Sequence, residues 1–258
     1  GYSSAMLNVG SMRNSGVELT FDFMPIKKKN FNWTASLNLT HYKNTINELE
    51  PGKDPSGYQS GSYWRKVGGS LYDFYMVKYA QYPYITQVGK PSGLMYGYIY
   101  EGTYKNSDFE GTALKDGIPY LASVEQKAVR PGDPKYRDIN NDGIVNDNDR
   151  TIIGCGQPLH TGGFGNTFNF YGFDINIFFS WSYGNDILNA NRLIFENGNK
   201  SGLNLLKTYN DRWTAEKSDS DIPRVDANGM YVYSSRVIED GSYLRLKTLS
   251  IGYTLPRS

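Results

Sequence analysis

Several stretches of the chain alternate strictly between apolar and polar residues, which is the pattern of a strand with one apolar face. Every odd position of residues 17–23 is apolar and every even position is polar, and residues 31–40 repeat this alternation. Residues 6–23 and 31–47 therefore predict a long hairpin, whose connection contains Pro25 and a lysine run and is expected to be a solvated turn. Strands of globular proteins usually have about five or six residues, so this length is more typical of a tilted barrel strand.

The same alternation returns in residues 163–183 and again in residues 243–255. In the first of these stretches, one face carries Phe173, Ile175, Ile177, Phe179, Trp181 and Tyr183. Phe178 is the one apolar residue among the polar residues of the opposite face. An apolar face of this kind packs either on a protein core or on lipid, and alternation is compatible with both.

The chain between these strands shows no regular period. Residues 48–70 are rich in glycine and proline and predict an exposed loop, whereas the tyrosine-rich residues 71–104 predict two or three strands. Residues 105–137 are irregular, and residues 203–213 fit a short helix. One side of that helix is expected to carry Leu206, Tyr209 and Trp213.

The composition narrows the possible functions. The 258 residues have a formal net charge of +1, so nothing in the overall charge favours nucleic acid or an anionic membrane surface as a partner. No stretch approaches the roughly 18 to 20 apolar residues of a spanning helix. The 22 tyrosines, 12 phenylalanines and 28 glycines indicate strands and tight turns. They suit either a carbohydrate-binding surface or the aromatic girdle of an outer-membrane barrel.

Residues 138–149 read DINNDGIVNDND and have the spacing of a calcium loop. Side-chain oxygens recur at positions 1, 3, 5, 9 and 12, a backbone carbonyl is available at position 7, and Gly143 at position 6 permits the sharp turn. The predicted ligands of a structural Ca²⁺ are Asp138, Asn140, Asp142, Ile144 through its carbonyl, Asn146 and Asp149. The last ligand is Asp rather than the usual Glu, so the affinity is expected to be lower. The alternative is an Asn- and Asp-rich turn that binds nothing.

The flanks of this loop exclude a helix–loop–helix calcium site. Residues 131–134 read Pro-Gly-Asp-Pro, which is incompatible with a helix. Residues 151–154 form a short apolar run that ends at glycine. A single loop between extended segments is expected to pin a connection rather than to act as a calcium sensor.

No catalytic constellation is present in the sequence. His41 and His160 are far apart, and the lone Cys155 lacks the partners of a nucleophile or a metal site. The protein is therefore not expected to be an enzyme. Four aromatic residues that are expected to be exposed could stack on sugar rings, although interface or loop packing is the preferred interpretation. They are Tyr58, Tyr63, Trp64 and Trp213.

Residues 135–154 resemble the signature KYxDxNxDGxxxxxDxxxIG of the SusC/RagA-like TonB-dependent outer-membrane transporters of Bacteroidetes. Further segments are similar to that family and occur in the same order along the chain. They are residues 12–19, 158–164, 172–174, 181–186, 212–214, 222–224 and 239–247. The resemblance therefore extends over almost the whole chain.

This resemblance implies an all-β fold, in which long antiparallel strands form part of a large transmembrane β-barrel with extracellular loops. Residues 1–258 would be a fragment of the barrel domain, without the plug and the final strands. The implied function is import of glycans or peptides across the bacterial outer membrane. The implied partners are a SusD-like surface lipoprotein, TonB acting through an amino-terminal part outside this chain, and outer-membrane lipid, with no nucleic acid.

Two further possibilities come from another functional class. One is a calcium-stabilised β-sandwich that binds carbohydrate, and the other is a surface adhesin with the same architecture. Both predict strands of about six residues rather than about twelve.

Overall fold

The computed structural model describes residues 10–49, 52, 57–60, 82–198, 202–230 and 232–255. Most of the regular structure consists of strands. In chain order these are β1 (Ser11–Lys28), β2 (Phe31–Glu48), β3 (Tyr58–Ser60), β4 (Tyr84–Thr86), β5 (Leu94–Gly97), β6 (Tyr100–Thr103), β7 (Phe109–Glu110), β8 (Ala113–Leu114), β9 (Tyr120–Leu121), β10 (Pro134–Tyr136), β11 (Ile144–Val145), β12 (Thr151–Cys155), β13 (His160–Phe170), β14 (Phe173–Tyr183), β15 (Asp186–Leu188), β16 (Ile238–Asp240) and β17 (Tyr243–Tyr253).

The five longest strands form one antiparallel sheet in the order β1-β2-β13-β14-β17. Strands β1 and β2 have 18 residues each and the other three have 11. The predicted long hairpin is confirmed, but its connection is shorter than expected. Strand β1 continues past Pro25 through a bulge between Phe23 and Ile26, an arrangement that accommodates proline in a strand. Only Lys29 and Asn30 remain in the turn.

The connections of this sheet are short at one end and long at the other. At the short end, Tyr171 and Gly172 join β13 to β14 with φ of +47° and +85°, the left-handed pair that fits the twist of a two-residue hairpin. At the long end, residues 49–159 follow β2 and residues 184–242 follow β14. Both long connections, with all their side chains, therefore lie at the same end of the sheet.

The strand registers place most apolar residues of all five strands on one face. Leu37 of β2 lies opposite Phe21 and Phe164, and Ile177 of β14 lies opposite Leu249. No element of the described part of the chain covers this face, and several of its members at the two sheet edges are more than half exposed. Examples are Val17 at 58%, Leu249 at 59% and Ile251 at 67%.

The described residues of the two long connections fold together, and we call residues 82–159 and 184–242 the loop body. An apolar cluster of Tyr98, Leu121, Tyr136 and Val145 from the first connection includes Val232 from the second. The backbones join as well, because Tyr98 N–H donates to the Tyr233 carbonyl at 2.9 Å. The loop body is therefore one packed unit and not two independent loops.

The helices and strands of the loop body are short, and they agree only in part with the sequence predictions. Residues 82–104 form three strands, as expected, while residues 71–81 and most of residues 48–70 lie outside the described residues. The predicted helix over residues 203–213 is wrong. Only a 3₁₀ turn forms, at Lys207–Asp211, and a five-residue helix, α1, lies earlier at Asn191–Phe195.

The helix over residues 203–213 does not form because Leu206 makes a contact outside the predicted stripe. Its backbone is extended, with ψ of 146°, and its N–H donates to the Phe195 carbonyl at 2.9 Å. Only Tyr209 of the stripe is fully buried, while Leu206 remains 40% exposed. No helix in the described part of the chain is long and apolar enough to span a membrane.

One polar side chain lies within the apolar face. Asn166 of β13 lies opposite Ala35 and Ile177 and is 8% exposed. Its side-chain oxygen accepts a hydrogen bond from the indole nitrogen of Trp33 at 3.1 Å. The Trp33 ring is fixed in turn by stacking on Phe168, with ring centroids 5.7 Å apart. Because a buried polar group without a partner is costly, this pair stabilises the register of β2 on β13.

We expect Trp33→Phe to lower the free energy of unfolding of the full-length protein by about 1–3 kcal/mol, because the Asn166 oxygen loses its donor in an apolar setting. A urea titration of the purified protein measures this change. The double variant Trp33→Phe with Asn166→Leu removes both partners and should recover much of the loss. Equal stability of Trp33→Phe and wild type would contradict the role given to the pair.

Candidate functional site

A row of aromatic side chains crosses the apolar face at the end with the short turns. The registers align Lys28, Phe31, Phe170, Phe173 and Tyr253, one from each strand. Neighbouring rings lie 6.2, 5.7 and 4.6 Å apart between centroids, in that order along the row. Aromatic rows of this kind mark the interfaces of barrels with the lipid headgroups.

A second row crosses the same face at the end with the loop body. His160 stacks on Tyr183 with ring centroids 5.1 Å apart. The Trp181 indole N–H donates to Nδ1 of His160 at 3.2 Å. His41 lies opposite Val17, and its Nδ1–H donates to the Leu159 carbonyl at 2.5 Å. Both histidines thus have structural partners, and neither is placed as a catalytic base.

The two rows are separated by the height of a membrane. On β14 they lie at Phe173 and Tyr183, the first and last of its 11 residues. At about 3.3 Å per residue and a strand tilt of about 40°, this separation is roughly 25 Å along the normal, the height of the apolar band of outer-membrane barrels. The apolar face therefore has the dimensions of a lipid-facing surface.

The opposite face of the sheet is polar and contains a shallow concavity of about 680 Å³. The registers align Asp22, Ser36, Gly165, Phe178 and Thr248 across the five strands at this concavity. Such a mixture of hydroxyl groups, one carboxylate and one aromatic ring is typical of a wetted barrel interior.

The position of Phe178 on the polar face is explained by Gly163 beside it. Its ring fills the space above Gly163 and Gly165, where added Cβ atoms would come within 2.7 Å of Cζ and 3.5 Å of Cδ2 of that ring. The polar face therefore accommodates this aromatic ring because Gly163 lacks a side chain, whereas the 3.5 Å at Gly165 is an ordinary van der Waals distance.

Charged pairs lock the loop body from inside. Glu196, which is 1% exposed, accepts hydrogen bonds from Arg236 Nη2 at 2.9 Å, Arg192 Nε at 3.0 Å and Thr208 Oγ1 at 2.7 Å. Burial of a carboxylate is tolerated only with such partners. This cluster joins α1 to the segments that follow it.

A second charged pair joins the two long connections to each other. Asp133, which is 2% exposed, accepts from Arg224 Nε at 2.9 Å. Burial raises the pKa of the Asp133 carboxyl, and the Arg224 guanidinium opposes that rise. Burial likewise raises the pKa of the Tyr136 phenol, so it stays protonated and donates to the Gly229 carbonyl at 2.9 Å.

The predicted calcium loop of residues 138–149 is closed by hydrogen bonds from its own backbone. The Asp138 carboxylate accepts from the N–H groups of Asn141 and Gly143, each at 2.7 Å. Gly143 has a φ of +86° with open space where a side chain would lie, the conformation that the sharp turn at position 6 needs.

Three further predicted ligands each form a local turn through their side chains. Asn140, Asp142 and Asn146 each accept from an N–H two residues further on, at 3.0, 2.9 and 2.9 Å. The carbonyl of Ile144 accepts from the side-chain amide of Asn146 at 3.1 Å. The oxygens that the sequence proposes as ligands are therefore held in a local ladder of turns.

Asp149 joins the two halves of this loop and anchors it. It is fully buried and accepts from Ile139 N–H and Asn146 N–H, both at 2.8 Å. Val145 of the same loop is also fully buried and pairs with Leu121 in the core of the loop body. The loop is thus a built part of the loop body.

Within the described residues, no three His, Cys, Asp or Glu side chains converge in a group that could hold a metal ion. The donor set of the loop nevertheless has the chemistry of a hard-cation site, because it consists of carboxylates, amide oxygens and one backbone carbonyl. Nitrogen and sulfur ligands, which transition metals favour, are missing from the loop.

The other sequence candidates are structural or lie outside the described residues. Trp213 packs on the backbone of Gly132, where an added Cβ would come within 2.6 Å of the indole ring. Cys155 is a half-buried free thiol. Tyr63 and Trp64 lie outside the described residues, and so does the side chain of Tyr58.

Sequence comparison supports the resemblance already drawn. No protein-family model matches the chain. The TonB-dependent receptor P3 of Formosa agariphila is 31% identical over 259 residues, which cover 100% of this chain and 23% of that protein. The TonB-dependent receptor P26 of the same organism is 29% identical over 265 residues, which cover 99% of this chain and 23% of that protein. The chain thus spans about a quarter of the length of these curated relatives.

Two solved structures share the fold. The structure of the RagAB peptide transporter has a TM-score of 0.67 at 22% identity, over 96% of this chain and 24% of that one. The RagAB peptide importer in its closed-closed state has a TM-score of 0.65 at 23% identity, over the same shares. The five-stranded sheet is therefore a section of a barrel wall, as its strand lengths predict. The chain belongs to the family of TonB-dependent receptors.

Proposed function

We propose that the full-length protein containing this chain imports glycans or peptides across the bacterial outer membrane, with energy delivered by TonB. The observation that carries this proposal is the uncovered apolar face, bounded by aromatic rows roughly 25 Å apart. In this assignment residues 1–258 are part of the barrel, and the plug and the segment that contacts TonB lie elsewhere in the protein. The expected role is transport and not catalysis.

The distribution of connections sets the orientation. Outer-membrane barrels have short turns on the periplasmic side and long loops outside. The two-residue turns at 29–30 and 171–172 are then periplasmic, and the loop body lies at the cell surface. A SusD-like surface lipoprotein is the proposed partner, placed above the loop body as a lid over the barrel mouth.

The β-sandwich module and the adhesin are less well supported. Their strands would have about six residues, whereas those of this sheet have 11 to 18. A sandwich also covers its apolar face with a second sheet, and no described element covers this one.

We expect Ile177→Lys to reduce the amount of folded protein in the outer membrane strongly, because a lysine near the middle of the lipid-facing band costs about 2–4 kcal/mol. The matched control is Asn176→Lys, one residue away on the polar face. It should leave the abundance near wild type. Outer-membrane fractionation with a gel-shift assay for folded barrel measures both, and equal abundance of the two variants would argue against a lipid-facing surface.

Deletion of the gene should abolish cellular uptake of one class of labelled oligosaccharide or peptide, and the wild-type gene should restore it. Because TonB transmits energy from the inner membrane, a protonophore should stop uptake while leaving surface binding intact. Uptake that persists with the gene deleted, or with the protonophore present, would contradict the proposed import.

We also propose that the 138–149 loop binds a structural Ca²⁺ through the side chains of Asp138, Asn140, Asp142, Asn146 and Asp149 and the carbonyl of Ile144. The ion would neutralise the carboxylates of this loop and hold its turns together. Support comes from the oxygen-only donor set and from the left-handed Gly143 at the turn position.

The double variant Asp138→Ala with Asp142→Ala should abolish the calcium signal of the full-length protein in titration calorimetry. Asp147→Asn is the matched control, because position 10 of the loop supplies no ligand. This variant should bind calcium as wild type does. Equal heats for wild type and the double variant would remove the calcium assignment and leave a turn that binds nothing.

A further inference from the structure

The outer face of the sheet changes from aromatic to basic beyond the row that contains His41. Lys43 of β2 lies opposite Ser15, and Arg13 of β1 lies opposite Thr45. Both basic side chains are exposed, and neither forms an ion pair in the described part of the chain. Two cationic groups that have no ion-pair partner among the described residues are thus neighbours on one surface.

The register fixes which side of the sheet carries these charges. Residues 13–23 of β1 pair with β2 without a shift, so Arg13 lies on the same face as Leu19 and Phe21. The two carboxylates of that stretch, Glu18 and Asp22, lie on the polar face. The positive charge is therefore not neutralised by acidic residues of β1 on its own side.

The depth of the two residues corresponds to the lipid headgroups. Lys43 is two residues beyond His41 and Arg13 is four beyond Val17, which is roughly 5 and 10 Å above the aromatic row. The headgroup layer extends about 5 to 8 Å beyond the hydrocarbon on each side. Long basic side chains reach readily over such a distance.

An apolar groove lies beside the same aromatic row. It has a volume of about 440 Å³ and lies between β14 and β17, with Trp181, Tyr183 and Leu244 among its lining residues. Strands are about 4.8 Å apart, so the groove is roughly 10 to 15 Å from Lys43. A lipid that contacts both features needs a wide headgroup and several acyl chains.

We propose that Arg13, Lys43 and this groove bind a phosphorylated glycolipid of the outer leaflet. The two basic side chains contact phosphate through charge-assisted hydrogen bonds, and an acyl chain lies in the groove. The inference rests on the proposed function for the orientation of the barrel. The occupant is a lipid because the charges lie at headgroup depth on the same face as the apolar band.

Native mass spectrometry of the full-length protein with bis-phosphorylated lipid A tests this site. Each basic residue near an anionic lipid contributes a factor of about 5 in affinity, so Arg13→Gln with Lys43→Gln should weaken binding roughly 25-fold. Lys27→Gln with Lys29→Gln removes equal charge at the short-turn end and should change binding little. Dephosphorylated lipid A should bind wild type and the Arg13/Lys43 variant equally.

Several results would overturn the inference. Unchanged binding by the Arg13/Lys43 variant would do so, and so would an equal loss in the Lys27/Lys29 variant. Phosphatidylglycerol that competes as well as lipid A would exclude a glycolipid as the occupant. Outer-membrane fractionation separates failure of the lipid site from failure of the proposed function. If the wild-type protein inserts normally but the variants bind lipid A equally, only the lipid site is excluded. If the wild-type protein does not insert into the outer membrane, both proposals are excluded.

Discussion

The antiparallel register of the five long strands is the constraint on which the rest of the structure depends. A strand places alternate side chains on opposite faces, so a slip of one residue would move every apolar side chain to the polar side. Cross-strand rows such as Phe31, Phe170, Phe173 and Tyr253 exist only in this register. The hydrogen bond from Trp33 to Asn166 adds a polar contact that is satisfied in this register.

The register also determines where the functional parts lie. Because both tight turns are at one end of the sheet, the two long connections meet at the other and pack into one loop body. That unit is held by buried charge pairs, such as Asp133 with Arg224, and by a shared apolar cluster. The wall thus presents an apolar face, a polar face and a loop body at one end, each of which has its own chemistry.

The sequence predicts the wall better than it predicts the loop body. Alternation over residues 17–23 and 173–183 is a strong local signal, and it specifies both the strands and their apolar face. The loop body consists of strands of two to five residues, 3₁₀ turns and the five-residue helix α1, which are too short to produce a period. The predicted helix over residues 203–213 does not form, because Leu206 instead makes a hydrogen bond to Phe195. The apolar pattern of a few residues is too weak to predict such a contact.

The candidate sites also differ in whether a local sequence pattern predicts them. The spacing of residues 138–149 identifies a loop, and the left-handed Gly143 fits the turn expected there. By contrast, the partnership of Trp33 and Asn166 links residues 133 positions apart, and the proximity of Arg13 to Lys43 depends on strand register. No local pattern in the sequence could reveal either one.

The most direct test of the central claim is to measure the environment of the two faces in the full-length protein in lipid bilayers. In a background in which Cys155 and any other native cysteine are replaced by Ser, spin labels at Leu37, Ile177 and Leu249 report on the outer face, and labels at Ser36, Asn176 and Ser250 report on the inner one. The account predicts that outer labels are accessible to oxygen and protected from a water-soluble nickel reagent, with the reverse for inner labels. Equal accessibility of the two sets to both reagents would contradict a membrane-spanning barrel wall.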